Sequence, residues 1–194
     1  MKDWTGTSES AFKMLGASNH CDDEREENDY YATDPKAIDM LMSKESFNKN
    51  IWEPAAGGGH LSKRLKEYGY NVKQSDIIQR VEGVEIIDFL KTNETFDGDI
   101  ITNPPYKYCT EFILKALELI KEGNKIAMFL KLQTLEGQER YKKIFSKYPP
   151  RKIYVFIKRI QCAKNGLFKG SSAVCYAWFI REKGYKGHTI IDWL

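Results

Sequence analysis

Residues 49–65 read KNIWEPAAGGGHLSKRL. A short apolar run (Ile51, Trp52) stops at an acid and a proline, three glycines follow, and Leu61 and Leu65 then lie on one helical face. A strand that turns directly into a helix belongs to an α/β sheet, and this stretch restricts the fold more than any other. The same grammar continues downstream. YNVKQSDII reads as a second strand ending at Asp76, GVEIIDFL as a third ending at Asp88-Phe89, and GDIITN as a fourth. TEFILKALELIKEG follows as an amphipathic helix with Phe112, Ala116, Leu119 and Ile120 at helical spacing and Gly123 as its stop. NKIAMFLKL is a buried fifth strand. Upstream, Asp34 suits a helix N-cap and Pro35 the first helical position, with Ile38, Leu41 and Met42 as the apolar stripe. The end of the chain departs from this alternation. After a helix at about 137–147, closed by Pro149-Pro150, RKIYVFIKRI and SAVCYAWFIRE are two strands with no helix between them. A C-terminal antiparallel hairpin added to a mostly parallel, seven-stranded sheet is therefore expected.

With 194 residues, 42% of them hydrophobic, the chain suits one domain with a sizeable core. We assign that domain to residues 31–194. Residues 1–30 are polar and acidic and are expected to form an irregular arm. No apolar stretch is long enough to span a membrane, and MKDWTGTSES lacks a signal-peptide pattern, so a cytoplasmic protein is expected. The four cysteines (Cys21, Cys109, Cys162, Cys175) are scattered, and His20, His60 and His188 miss metal-ligand spacing, so neither disulfides nor a metal is expected.

The net charge of +3 conceals an asymmetry. Residues 1–100 carry 12 basic and 20 acidic side chains, whereas residues 101–194 carry 18 and 7. From Arg140 to Arg181 there are 11 basic residues and no acid, interleaved with aromatics such as Tyr141, Tyr154 and Phe168. That combination suits a polyanion whose bases can stack, and Lys158 and Arg159 are candidates for its phosphates.

Ligands of open α/β sheets bind beyond the carboxyl ends of the strands, where glycines permit close backbone approach. The turn Glu53–Gly59 is there, but it is not G-x-G-x-x-G and has no P-loop lysine, so hydride and phosphoryl transfer are poorly supported. Three strand-end acids, Glu53, Asp76 and Asp88, together with that turn describe a nucleoside-shaped site without a phosphate binder. Asn103-Pro104-Pro105-Tyr106 ends the fourth strand beside it.

E-x-A-x-G-x-G at Glu53–Gly59 and N-P-P-Y at 103–106, in this order and on these elements, resemble the class I S-adenosylmethionine-dependent amino-methyltransferases. The likeness is to N6-adenine DNA methyltransferases, in particular small ones associated with phages and prophages, and covers roughly residues 30 to 182. It implies a Rossmann-like fold and S-adenosyl-L-methionine as cofactor. By the resemblance, Glu53, Ala55, Gly57 and Gly59 form the cofactor loop. Asp76 takes the ribose, Asp88 with Phe89 the cofactor's adenine, and Thr33, Asp34 and Pro35 the methionine end. Phe168 is near where relatives place an aromatic that stacks the extruded base.

An exocyclic adenine amine is a poor nucleophile because its lone pair is delocalised into the ring. Two acceptors aimed at its hydrogens, the Asn103 side-chain oxygen and the Pro104 carbonyl, would favour a more tetrahedral nitrogen. Pro105 stiffens that turn and Tyr106 would stack on the ring. The same cup suits adenine in RNA, or the amide of a protein glutamine, and a binding protein without turnover is a further alternative. The basic segment favours nucleic acid, with DNA ahead of RNA. No separate target-recognition domain is visible, so a short recognition site, a homodimer and a single-stranded substrate remain open.

Overall fold

Neighbouring residues of the central strands point to opposite faces, and both faces are apolar, which marks a sheet covered on each side. Ile100 packs with Trp52, Phe112, Ile113 and Phe179, whereas Ile101 packs with Ile38, Leu41, Leu61, Leu65 and Trp178. The computed structural model describes residues 32–163 and 174–194. In chain order the elements are β1 (Ala32–Thr33), α1 (Lys36–Met42), β2 (Asn50–Glu53), α2 (His60–Glu67), β3 (Asn71–Asp76) and β4 (Glu85–Ile86). Then come β5 (Asp99–Thr102), α3 (Cys109–Leu119), β6 (Lys125–Lys131), α4 (Gln138–Arg140), β7 (Lys152–Val155), β8 (Cys162–Ala163), β9 (Tyr176–Glu182) and β10 (Ile190–Trp193).

The main sheet runs β10-β7-β9-β6-β5-β2-β3-β4. Only β9 is antiparallel to its neighbours, pairing Met128 with Phe179 on one side and Ile153 with Phe179 on the other. Helices α1 and α2 supply Ile38, Leu41, Leu61 and Leu65 to one layer, and α3 supplies Phe112, Ile113 and Ala116 to the other. The expected hairpin of β7 and β9 is present, with β9 inserted between β7 and β6.

Three features differ from the expectation. The sheet has eight strands, not seven, because Ile190–Trp193 adds parallel to β7 along its outer edge. Thr189 Oγ1 donates to the Pro150 carbonyl at 2.8 Å and guides that strand into place. The third strand is only Glu85–Ile86, and Asp88 and Phe89 follow it in a turn. The helix expected at 137–147 is one short α segment running into a π turn at Tyr141–Phe145. A separate two-stranded ribbon, β1 against β8, joins Thr33 to Cys162 across the sequence. No helix among the described residues is long and apolar enough to cross a membrane.

Candidate active site

The strand order reverses between β2 and β5: β3 and β4 extend one way from β2, and β5 and β6 the other. A crevice opens where such connections diverge, at the carboxyl ends of the strands. The turn Glu53–Gly59 leaves β2 there, and Asn103 leaves β5 there. The two motifs therefore flank one switch point.

Gly57 and Gly59 have φ of 51° and 72°, a conformation that favours glycine, and Gly59 is the residue from which α2 starts. Asp76, at the end of β3, holds the turn in shape: its Oδ2 accepts the Gly57 N–H at 2.8 Å. Its Oδ1 accepts Ile78 N–H at 3.1 Å and Arg80 Nη1 at 3.3 Å. Next to it Ile77 and Ile78 are exposed (55% and 40%), an apolar surface beside a strand-end acid. Glu53 is 2% exposed and accepts from the Ser62 hydroxyl. Burial pushes its carboxyl up to about 8, against the opposing pull of Ser62. Ala55 is partly buried against the core.

Asp88 accepts Leu90 N–H at 3.2 Å and pairs with Lys91 at 2.8 Å, and the Lys91 bond holds its carboxyl below the ordinary range despite some desolvation. Phe89 does not sit as expected. It is 3% exposed, with its ring centroid 5.3 Å from Trp52 and 5.0 Å from Phe112, so it belongs to the core rather than to an open ring-binding face.

Asn103 is half-buried and donates from Nδ2 to Thr33 Oγ1 at 2.8 Å, across 70 residues of sequence. Pro104 is buried, and Pro105 (φ −59°, ψ 120°) directs the chain into a short 3-10 turn at Tyr106–Tyr108. The Tyr106 hydroxyl lies 3.6 Å from Cys162 Sγ, and its ring stacks on Tyr176 with centroids 6.0 Å apart. Lys131 Nζ lies 5.0 Å from the centre of the Tyr106 ring. Burial raises the Tyr106 hydroxyl well above its ordinary value. Asp34 acts as the expected cap, its Oδ1 accepting Lys36 N–H at 3.0 Å, and Pro35 already has helical φ and ψ of −54° and −23°.

Lys158 and Arg159 are exposed on the segment that leaves the carboxyl end of β7. The rest of the basic segment is less uniform than its sequence. Arg151 and Lys152 pair with the buried Glu45 at 2.6 and 3.3 Å, and Arg181 is 1% exposed. Phe168 and residues 1–30 lie outside the described residues. Sequence reasoning did not find Ser62, Tyr176 or Cys162 as neighbours of these motifs. Cys162 looked like one of four scattered thiols, and only the β1–β8 pairing brings it to Thr33.

No known family profile matches the chain, and no curated protein matches it in sequence. Solved structures do resemble it. A protein of Listeria monocytogenes, provisionally described as a class I S-adenosylmethionine-dependent methyltransferase, aligns at TM-score 0.60 and 16% identity, over 95% of this chain and 71% of its own. The 23S rRNA methyltransferase ErmE aligns at TM-score 0.54 and 17% identity, over 81% and 73%. The type IIG restriction endonuclease BpuSI aligns at TM-score 0.51 and 17% identity, over 71% of this chain and 22% of its own. At these identities the likeness concerns the fold, which is the Rossmann-like fold of class I methyltransferases.

Proposed function

We propose that the protein is an S-adenosyl-L-methionine-dependent methyltransferase acting on the N6 amino group of adenine in DNA. The observation that carries this reading is the position of Asn103-Pro104-Pro105-Tyr106 at the end of β5, facing the glycine turn across the strand-order reversal.

The residues beside the turn fit a nucleoside-type cofactor that has no phosphate. Asp76 suits ribose hydroxyls, Ile77 and Ile78 offer an apolar face for a flat ring, and the positive φ of Gly57 and Gly59 leaves backbone open to a ligand. Glu53, Ala55 and Asp88 complete the rim, and Thr33, Asp34 and Pro35 close it from the side of α1. Phe89 acts here by fixing Asp88 from the core. The cofactor supplies an electrophilic methyl group on a sulfonium.

The chain's own contribution is positioning and electrostatics. The Asn103 amide oxygen and the Pro104 carbonyl accept the hydrogens of the target amine, and Pro105 keeps the two acceptors in a fixed relation. Tyr106 packs on the base. Its raised hydroxyl stays protonated, so it serves as a ring and a hydrogen-bond partner rather than as a base. Lys107, Lys158 and Arg159 are exposed at the same end of the sheet and suit backbone phosphates. A base inside a duplex must leave the stack to reach such a cup, and Phe168 is proposed as the aromatic that receives it. RNA is the second reading, favoured by the fold likeness to an rRNA methyltransferase over 81% of this chain.

Incubation with methyl-labelled cofactor and separate DNA, RNA and protein pools tests the proposal. Label in N6-methyladenine of DNA is the expected result. Label in RNA selects the second reading, and label in protein glutamine that survives nuclease treatment overturns both.

A further inference from the structure

Behind Asn103 lies a group of polar side chains that the reaction as described does not use. Thr33 is 3% exposed and faces Cys162 as its register partner in the β1–β8 ribbon, and Asp34 N–H donates to Gln161 O at 3.1 Å. Directly paired antiparallel residues hold their Cβ atoms about 4.5–5.5 Å apart, close enough for side chains to touch. The Tyr106 hydroxyl lies 3.6 Å from the Cys162 sulfur, and Asn103 Nδ2 donates to the Thr33 oxygen at 2.8 Å. Tyr106 and Tyr176 stack on one another, and Tyr176 stacks on Phe129 at 4.9 Å, so the group is fixed by the core.

A threonine hydroxyl has one hydrogen to give. If it is directed at the sulfur, the oxygen can only accept from Asn103, and the partner must be the amide NH₂. An amide turned by half a revolution would bring its oxygen to Thr33 instead, and the acceptor needed for the target amine would be lost. Which way an asparagine faces is decided by its hydrogen-bond network.

We infer that Thr33 and Cys162 are positioning residues that lock the Asn103 amide with Nδ2 toward the ribbon and Oδ1 turned away from it. The inference rests on the proposed role of Asn103 in accepting the target amine. It also gives Thr33 a task distinct from contacting a cofactor. The ribbon thereby couples the segment ahead of α1 and the segment after β7 to the orientation of a single amide.

Two measurements test it. In nitrogen-15 spectra of the ligand-free protein, the Asn103 side-chain NH₂ signals are identified by their loss in Asn103→Ala. They should move in Thr33→Val and Cys162→Ala and return toward the wild-type position in Thr33→Ser. In the methyl-transfer assay, Thr33→Val should lower kcat by about tenfold or more with the KM for DNA and the melting temperature little changed, as expected for a misaligned reacting group. Thr33→Ser should recover most of that loss. Cys162→Ala should have a smaller effect that disappears in the Thr33→Val background, because both act through one hydrogen bond. NH₂ signals unmoved by Thr33→Val, or wild-type kcat in that variant, overturn the inference. A wild-type protein that transfers no methyl group overturns the parent reading instead, and the spectra alone then decide this one.

Discussion

Asn103 and Glu53 sit at two adjoining strand ends, and their environments demand different things of them. Asn103 is held by a neutral hydrogen bond and carries no charge, so its proposed task is geometric. Asn103→Ala should lower the transfer rate by about 10²-fold or more, the scale of losing a preorganised acceptor or donor at a reacting centre. Cofactor affinity measured by calorimetry should stay within about twofold. A variant that keeps most of its rate would remove Asn103 from the mechanism. Glu53 is buried, and its carboxyl is raised from the ordinary 4.5 to about 8. Its folded form holds a proton that the unfolded chain releases above 4.5. Folding is therefore unpenalised below 4.5 and progressively penalised as pH rises to about 8. Glu53→Gln removes that ionisation. Its stability relative to wild type, from urea titrations, should rise between pH 4.5 and 8 by several kcal/mol, at most about 5. Parallel stability profiles would contradict the raised carboxyl.

Glu45 shows how much of a charge pattern the elements themselves absorb. It lies after α1, with its side chain 4% exposed, and meets Lys125 at 2.8 Å, Arg151 at 2.6 Å and the Tyr154 hydroxyl at 3.0 Å. Burial raises its carboxyl, but hydrogen bonds and charge from Lys125, Tyr154 and Arg151 outweigh that and leave it lowered overall. Its stabilisation is thus complete above 4.5 and lost as pH falls below that through the folded value. Glu45→Ala should cost about 3–5 kcal/mol near neutral pH, as for a buried pair broken on one side. The deficit should shrink in acid, and an unchanged denaturation midpoint would contradict the tie between α1, β6 and β7. The acid-free run from 140 to 181 therefore has two kinds of member. Arg181 sits over Phe145 at 5.5 Å with Nε donating to the Tyr148 carbonyl at 3.0 Å, and burial lowers its guanidinium to about 9. Lys158 and Arg159 are exposed. Sequence cannot separate these kinds, because the pairing depends on a residue about a hundred positions away. The alternation of β2, α2, β5, α3 and β6 was legible because each strand carries a continuous apolar run and each helix an apolar stripe. The ribbon of β1 and β8 was not, since two-residue strands have no period and exist only by pairing. Phe89 was misread for a related reason: an aromatic after a strand-end acid suits a ligand ring or the core equally well until Trp52 and Phe112 are placed beside it.

At the scale of the molecule, Glu53, Asp76, the glycine turn and Asn103–Tyr106 lie at the carboxyl ends of the strands, and the exposed cations Lys107, Lys158 and Arg159 follow strands at the same end. Nucleic-acid binding should weaken steeply with salt. Neutralising Lys158 and Arg159 together as Gln should reduce the slope of log affinity against log salt by about 1 to 2, one released counterion per lost phosphate contact. A salt response unaltered by that change would place the nucleic acid elsewhere. The glycine turn and the cup were both readable as motifs, and their meeting at the strand-order reversal follows from topology, which local patterns do not specify. The most direct measurement is nucleoside analysis of DNA from cells that lack adenine methylation of their own and express this chain. N6-methyldeoxyadenosine is expected with the wild-type protein and none with Asn103→Ala. DNA free of that nucleoside at full expression of folded protein would contradict it.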